Sequence, residues 1–295
     1  MSNLLVNKSK EYLMTKLYKL NVIIYSGGKT GGTTLSNTFN LNDFNSLHIH
    51  SNYYFQTKVI KNSDISIFDV INYNSKKRKL IIIDSYRTPI ERKISSFFEN
   101  IIYYLPNYDE YNTDQLIDIF NEKYFYGIEE YHPFDELKQH YEYPEFTEFT
   151  EFDFNKKYSV ITKNNITFIK IRFSEINIWS SILTEIFNQP IIIHNENLTS
   201  NKTINNIYNE YKIKYKVPDK YLDEILLNDK NFLMFNSKIE QEEYIKKWNN
   251  KRLSIQNIQT ISQISQVNQI SQVNQIQRKK FKLIKLLNII NKNKS

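Results

Sequence analysis

The chain has no cysteine, which excludes a disulfide framework, a thiolate metal site and a thiol nucleophile. It has little glycine: five in 295 residues, of which Gly27, Gly28, Gly31 and Gly32 share one turn-sized stretch and Gly127 stands apart. Long apolar runs are missing too. None approaches the roughly 18 residues of a membrane-spanning helix, and the opening MSNLLVNKSKEYLMTKLYKL lacks the continuous core and small-residue cleavage site of a signal peptide. The chain therefore reads as soluble and cytoplasmic. Acid is missing from one region. Residues 278–295 carry seven basic side chains and no acidic one, which accounts for the whole formal charge of +7. The remaining body is near neutral, so no nucleic-acid partner is expected.

What is present suffices for one large α/β domain or two smaller ones: 40% hydrophobic and 15% aromatic residues over this length allow a sizeable core. The most informative stretch is NVIIYSGGKTGGTTLSNT, residues 21–38. Val22 to Tyr25 reads as a short buried strand, Gly27 to Gly32 as a turn, and Thr33 onward as a helix to about Asn40. A strand, a glycine turn and a helix N-terminus together make an anion site, because small residues let backbone N–H groups converge and the helix dipole adds positive charge. Lys29 adds a full charge, and Thr33 and Thr34 add hydroxyls. Gly28-Lys29-Thr30 matches the end of the nucleotide P-loop, but Ile23 stands where that motif has its first glycine. The plainer alternative is a glycine turn carrying an exposed lysine.

Residues 80–98, LIIIDSYRTPIERKISSFF, form a second informative stretch. The spacing predicts a strand over Lys79 to Asp84 and a helix capped by Thr88, with Pro89 in its first turn and Glu91 at the third position. At 100° per residue, Ile90, Ile94, Phe97, Phe98 and Ile101 share one face, with Arg92, Ser95, Ser96 and Glu99 opposite. That opposite face is either an anion site together with Arg87 or merely solvated. Between the two stretches, Ser46 to His50 reads as a strand with His48 and His50 on one face, and Ser63 to Tyr73 as a helix. The β-α-β-α-β-α order predicts a parallel sheet with helices on both faces and ligands at the strands' C-terminal ends.

Further along, residues 103–157 hold tyrosines, acids and the run PEFTEFTEFDF, and read as a peripheral segment whose aromatics pack locally or as an acceptor-binding insertion or lid. A strand is expected over Thr167 to Arg172, a helix over 177–187 and a strand over Ile191 to His194. Ile or Val recurs at every third position from 255 to 276, which fits neither helix nor strand and predicts a low-complexity linker over 251–277. Residues 278–295 follow as a basic tail, either solvated or an amphipathic helix for an acidic membrane surface or partner. Residues 1–20 are read as an N-terminal helix leading into the domain of 21–250.

The order Lys29-Thr30-Gly31-Gly32-Thr33-Thr34 after a strand resembles the 5′-phosphosulfate loop of sulfotransferases that use 3′-phosphoadenosine 5′-phosphosulfate (PAPS). The order Arg87-x-Pro89-x-x-Arg92-x-x-Ser95-x-Phe97 resembles their 3′-phosphate segment, especially in enzymes acting on glycans. Arg172, Glu175 and Trp179 are similar to landmarks of the late core in that superfamily, although a structural role suits them better. Residues 195–248, with Asn197, Lys202, Tyr208, Tyr211, Lys212, Pro218, Phe235, Glu242, Glu243 and Trp248, resemble the C-terminal part of the capsular polysaccharide synthesis family, a sulfotransferase-like group.

The resemblance implies a P-loop-like three-layer α/β/α fold with a central parallel sheet and a helical C-terminal part. It implies transfer of a sulfuryl group from PAPS to a carbohydrate or glycoconjugate hydroxyl, with PAP as product and no metal. Gly28, Gly31, Gly32 and the N–H groups of residues 30–33, with Thr33 and Thr34, would hold the 5′-phosphate, and Lys29 would neutralise the departing phosphate oxygen. Arg87 and Ser95 would take the 3′-phosphate, with Arg92 supporting them or bracing its helix. His50, and after it His48, is the candidate general base, unless both are simply half-buried strand residues. The rival readings are an ATP- or GTP-dependent P-loop kinase using Asp84 in a Walker B-like strand, and an inactive glycan-binding protein on the same scaffold.

Overall fold

The computed structural model describes residues 14–61, 64–125, 133–141, 152–194, 204–218, 222 and 229–249. The expected linker and basic tail, the EFT run up to residue 151 and most of the N-terminal segment lie outside these residues. The described chain forms two units: residues 1–215 with 229–237, and residues 216–228 with 238–295.

The first unit is built on a five-stranded sheet. Strand β1 (Val22–Tyr25) pairs in parallel with β2 (Ser46–Ile49) on one side and with β3 (Leu80–Tyr86) on the other. Strand β3 continues in parallel to β5 (Ile166–Arg172), and β4 (Tyr158–Lys163) closes the edge antiparallel to β5, giving the order β2-β1-β3-β5-β4. The period-two alternation of these runs divides the core in two. Ile23, Tyr25, Leu80, Ile82 and Phe168 share a cluster with Ile67, Val70 and Ile71 of helix α2 (Ile67–Ser75). Val22, Ile24, Ile83, Ile169 and Ile171 share the other with Leu35 and Phe39 of helix α1 (Gly32–Leu41) and with Trp179, Ile182 and Leu183. Helices thus cover both sheet faces, as expected for an α/β sandwich.

Helix α3 (Pro89–Tyr104) buries the predicted stripe Ile90, Ile94, Phe97, Phe98 and Ile101. Helices α4 (Thr113–Ile119) and α5 (Pro133–Tyr141) follow in the middle region, and Phe120 and Tyr124 just beyond α4 pack on Phe97 at ring distances of 5.3 Å. Phe120 also packs on Tyr211 and Tyr215, at 5.8 and 5.2 Å, so the described aromatics of this region join distant parts of the unit. Helix α6 (Trp179–Phe187) follows β5 after a 3-10 stretch, and α7 (Asn205–Lys214) and α8 (Lys230–Phe235) complete the unit. The second unit contributes α9 (Lys238–Trp248), where the N–H of Val217 donates to Trp248 O at 2.9 Å.

Four local expectations are corrected. Residues Ile191 to His194 form no strand. Their backbone is satisfied by side chains instead: Ser180 Oγ donates to Ile191 O at 2.6 Å, the N–H of Ile191 to Thr184 Oγ1 at 3.0 Å, and the N–H of His194 to Thr38 Oγ1 at 3.1 Å. Strand β4 was not anticipated. It is set by a two-residue turn in which Asn164 and Asn165 both take positive φ, 48° and 65°, the geometry of a tight hairpin. Helix α2 starts four residues later than expected, because Ser66 and Asp69 form a reciprocal capping box there. Thr88 does not cap α3 through its side chain, since its hydroxyl donates to Glu91 Oε2 at 2.7 Å.

Asp84 of β3 and Lys170 of β5 are register partners and form an ion pair that is almost wholly buried. Removing one member leaves an uncompensated charge, which costs about 3–5 kcal/mol, whereas replacing both by apolar residues is close to neutral. Urea unfolding of Lys170→Met should therefore show a loss of about 3–5 kcal/mol, and most of it should be regained in the Asp84→Leu/Lys170→Met double variant.

Candidate functional site

The chain leaves β1 toward β2 on one side and returns to β3 on the other, so the sheet order reverses between β1 and β3. Crevices at the C-terminal ends of strands around such a reversal are where open α/β sheets hold ligands. Both informative stretches end there: the glycine turn follows β1 and the Arg87 segment follows β3.

The turn has its own internal frame. Thr30 Oγ1 donates to Gly27 O at 2.8 Å, and this hydroxyl is thus spent on the turn itself. Lys29 and Gly31 adopt left-handed backbone, with φ of 66° and 92°. A Cβ at Gly31 would lie 2.7 Å from Trp179 and 2.9 Å from Phe173, and one at Gly27 would lie 2.6 Å from Arg92. These glycines let three segments press against the turn. A Cβ at Gly28 would meet nothing within 4 Å, so that side of the residue is open to approach. Helix α1 begins at Gly32, with Thr33 exposed and Thr34 buried in its first turn.

The two stretches are joined directly. Arg87 Nη1 donates to Lys29 O at 3.0 Å, and Arg92 Nε donates to Gly28 O at 3.1 Å. The Arg87 guanidinium also lies over the Phe173 ring at 4.5 Å, and Phe173 backs Gly31 in turn. Lys29 Nζ forms an ion pair with Glu99 of α3, and half-buried Ser95 lies one turn before Glu99 on the same helix face. The structure therefore brings Lys29, Arg87 and Arg92 together, with Ser95 on the helix that carries Arg92 and Glu99. Between β1 and β3 an opening of about 220 Å³, counting its solvent-open mouth, is lined by Gly27, Thr30, Asp84, Ser85, Tyr86, Arg87, Arg92, Pro133 and Lys170.

The histidines occupy distinct positions. His50 Nδ1 lies 2.8 Å from Ser26 O. A carbonyl only accepts, so Nδ1 carries the proton and Nε2 is left as the basic nitrogen. His48 lies against Gly32, and its Nε2 is buried with no hydrogen-bond partner among the described residues. Burial, and then the charge of neighbouring His50, pushes the His48 pKa down to about 4. The two rings meet edge-on at 4.7 Å.

Ser85, Phe173, Lys170 and Glu136 belong to this neighbourhood and were not singled out from the sequence, whereas Glu99 lies on the polar face of α3 that was. Glu136 of α5 accepts from the Tyr25 hydroxyl and, at 2.9 Å, from the N–H of Asn52, and so ties the middle region to the ends of β1 and β2. Burial raises its pKa. Ser26 and Ser85, at the ends of β1 and β3, hold buried hydroxyls without a hydrogen-bond partner among the described residues. Ser85 lines the opening with Arg87 and Arg92, and an unpartnered hydroxyl there suits an anionic ligand. Trp179, by contrast, is structural. Its indole donates to Arg172 O at 2.9 Å and its ring supports Gly31. Arg172 is likewise buried, paired with Glu175 and donating to Phe235 O.

These features define an α/β protein whose glycine turn and two arginines meet at the reversal point of its sheet. No family model, curated protein or solved structure matches the chain.

Two outcomes test this geometry. Gly31→Ala should destabilise the protein and loosen the turn, because it places a methyl group against Trp179 and Phe173 at a left-handed residue; thermal unfolding reads the loss. For His48, the unfolded state binds the proton that the folded state refuses, so stability is full above the ordinary histidine pKa of 6.5 and falls as pH drops toward 4. His48→Gln should remove roughly 3 kcal/mol of that acid sensitivity in denaturation measured across this window.

Proposed function

We propose that the protein is a PAPS-dependent sulfotransferase acting on a hydroxyl of a carbohydrate or glycoconjugate. The observation that carries this reading is the direct tie between Arg87, Arg92 and the carbonyls of the glycine turn, which makes the turn and the start of α3 one continuous cationic wall. A glycine turn bordered by two arginines, with Ser95 on the same helix as Arg92, suits a ligand that carries more than one phosphate. PAPS, when bound, supplies an activated sulfuryl group on a phosphosulfate anhydride.

In this reading the N–H groups of residues 30–33 and the hydroxyls of Thr33 and Thr34 bind the 5′-phosphate. Lys29 neutralises the charge that grows on the leaving phosphate. Arg87 and Ser95 bind the 3′-phosphate, and Arg92 braces the turn through Gly28 O while adding charge to the wall. His50 takes the acceptor's proton at Nε2, the nitrogen left basic by the Nδ1 contact with Ser26 O. His48 is the weaker candidate, because its basic nitrogen is buried behind Gly32.

A magnesium-dependent kinase reading would need Asp84 for the metal. That carboxylate is already neutralised by Lys170 at the floor of the opening, which favours the sulfotransferase reading over the kinase one.

Isothermal titration with PAP and, separately, with ATP and magnesium tests the proposal: PAP should bind and ATP–magnesium should bind far more weakly. Arg87→Ala should weaken PAP by about tenfold to a hundredfold, the size of a lost hydrogen bond to a charged group. Lys29→Ala should lower sulfate transfer to a glycan panel by about a hundredfold or more. Equal affinity for the two nucleotides, or normal transfer by both variants, would refute the assignment.

A further inference from the structure

The loop lysine is already occupied. Lys29 Nζ pairs with the carboxylate of Glu99, two turns along α3 from Arg92. Arg92, Ser95 and Glu99 follow one another on a single helix face, and that face lies along the turn because Arg92 is bonded to Gly28 O. The backbone of Lys29 is fixed as well, its carbonyl held by Arg87 and its φ in the left-handed region. Its side chain is the part that would answer an arriving anion, and in this structure that side chain answers Glu99.

We propose that Glu99 is a built-in competitor for the anion site: its carboxylate stands in for a phosphate on Lys29 and must be displaced when a phosphorylated ligand binds. The inference rests on the reading of the glycine turn as a phosphate cradle. Its consequence is regulatory. Every phosphate ligand that recruits Lys29 meets the same opposing contact, so Glu99 lowers affinity by a common factor and keeps the cradle from retaining stray anions or product. The size of that factor follows from exposure. The Lys29 side chain is 22% and the Glu99 side chain 49% exposed, and pairs this open to water are worth only about a two- to fivefold change in an equilibrium.

The test is titration of the full chain with PAP and with inorganic phosphate, in the wild type, Glu99→Gln, Glu99→Ala and the same changes in a Lys29→Ala background. Both Glu99 variants should bind both ligands about two- to fivefold more tightly than the wild type, with a gap that narrows as salt is raised. In the Lys29→Ala background most of that gain should disappear, what remains being the plain repulsion between the Glu99 carboxylate and the anion. If the Glu99 variants bind equally or more weakly while Lys29 is present, Glu99 holds Lys29 in place for the ligand and the proposal is overturned. If inorganic phosphate binds and responds to Glu99 but PAP binds no better than phosphate, the nucleotide reading fails and the competitor role stands. If neither ligand binds the wild type, the cradle reading and this inference fall together.

Discussion

The site depends on two guanidinium groups that donate to backbone carbonyls of a neighbouring turn. A left-handed lysine costs about 1–2 kcal/mol relative to an ordinary conformation, and Lys29 is held in one at φ 66°. A hydrogen bond from a charged donor contributes about 1.5–3 kcal/mol, and Arg87 places one on the carbonyl of that residue. The bond is thus large enough to offset the strain at the point where it arises. Arg92 does the same for Gly28, and Thr30 ties the turn back to Gly27. Remove these contacts and the turn loses what holds its backbone in this conformation.

The supports behind the turn follow from the same constraint. Phe173 and Trp179 press against Gly31, Arg92 against Gly27, and His48 against Gly32, so each glycine admits a different neighbour. Four of the five glycines of the chain lie in this turn, where a side chain would collide with one of these supports or, at Gly28, close the open approach. Phe173 serves two purposes, since the ring that backs Gly31 also carries the Arg87 guanidinium. The loop after β5 is thereby part of the site without contributing a charged group to it.

The two lysines of this region are each paired with a carboxylate. Lys170 is neutralised by Asp84 in the sheet interior, and Lys29 by Glu99 at the surface. The two pairs differ in permanence. Burial makes the first costly to open, whereas the second is exposed enough for water and ligands to compete with it. Arg87 uses one N–H on Lys29 O and can keep that bond while its remaining donors face a ligand, because guanidinium offers five in a planar fork.

Much of this was legible in the residues themselves. The alternating runs of β1, β3 and β5, the apolar stripe of α3 and the crowding of glycines after β1 are local patterns whose period or composition decides the outcome. The Asn164-Asn165 turn that creates β4 is also local, and a reading attentive to paired asparagines between two alternating runs would have found it. Other features are decided only by partners far along the chain. Ile191 to His194 looks like a strand, yet Thr38, Ser180 and Thr184 claim its backbone groups. Glu99 looks like one more polar residue on a helix until the fold brings Lys29 to it. The basic nitrogen of His50 is assigned by the carbonyl of Ser26 on the adjacent strand's exit. Sequence periodicity thus determined which elements form and which face of each is apolar. Tertiary structure decided which charges meet, because hydrogen bonds and ion pairs act over a few ångströms and the groups that make them here stand tens of residues apart.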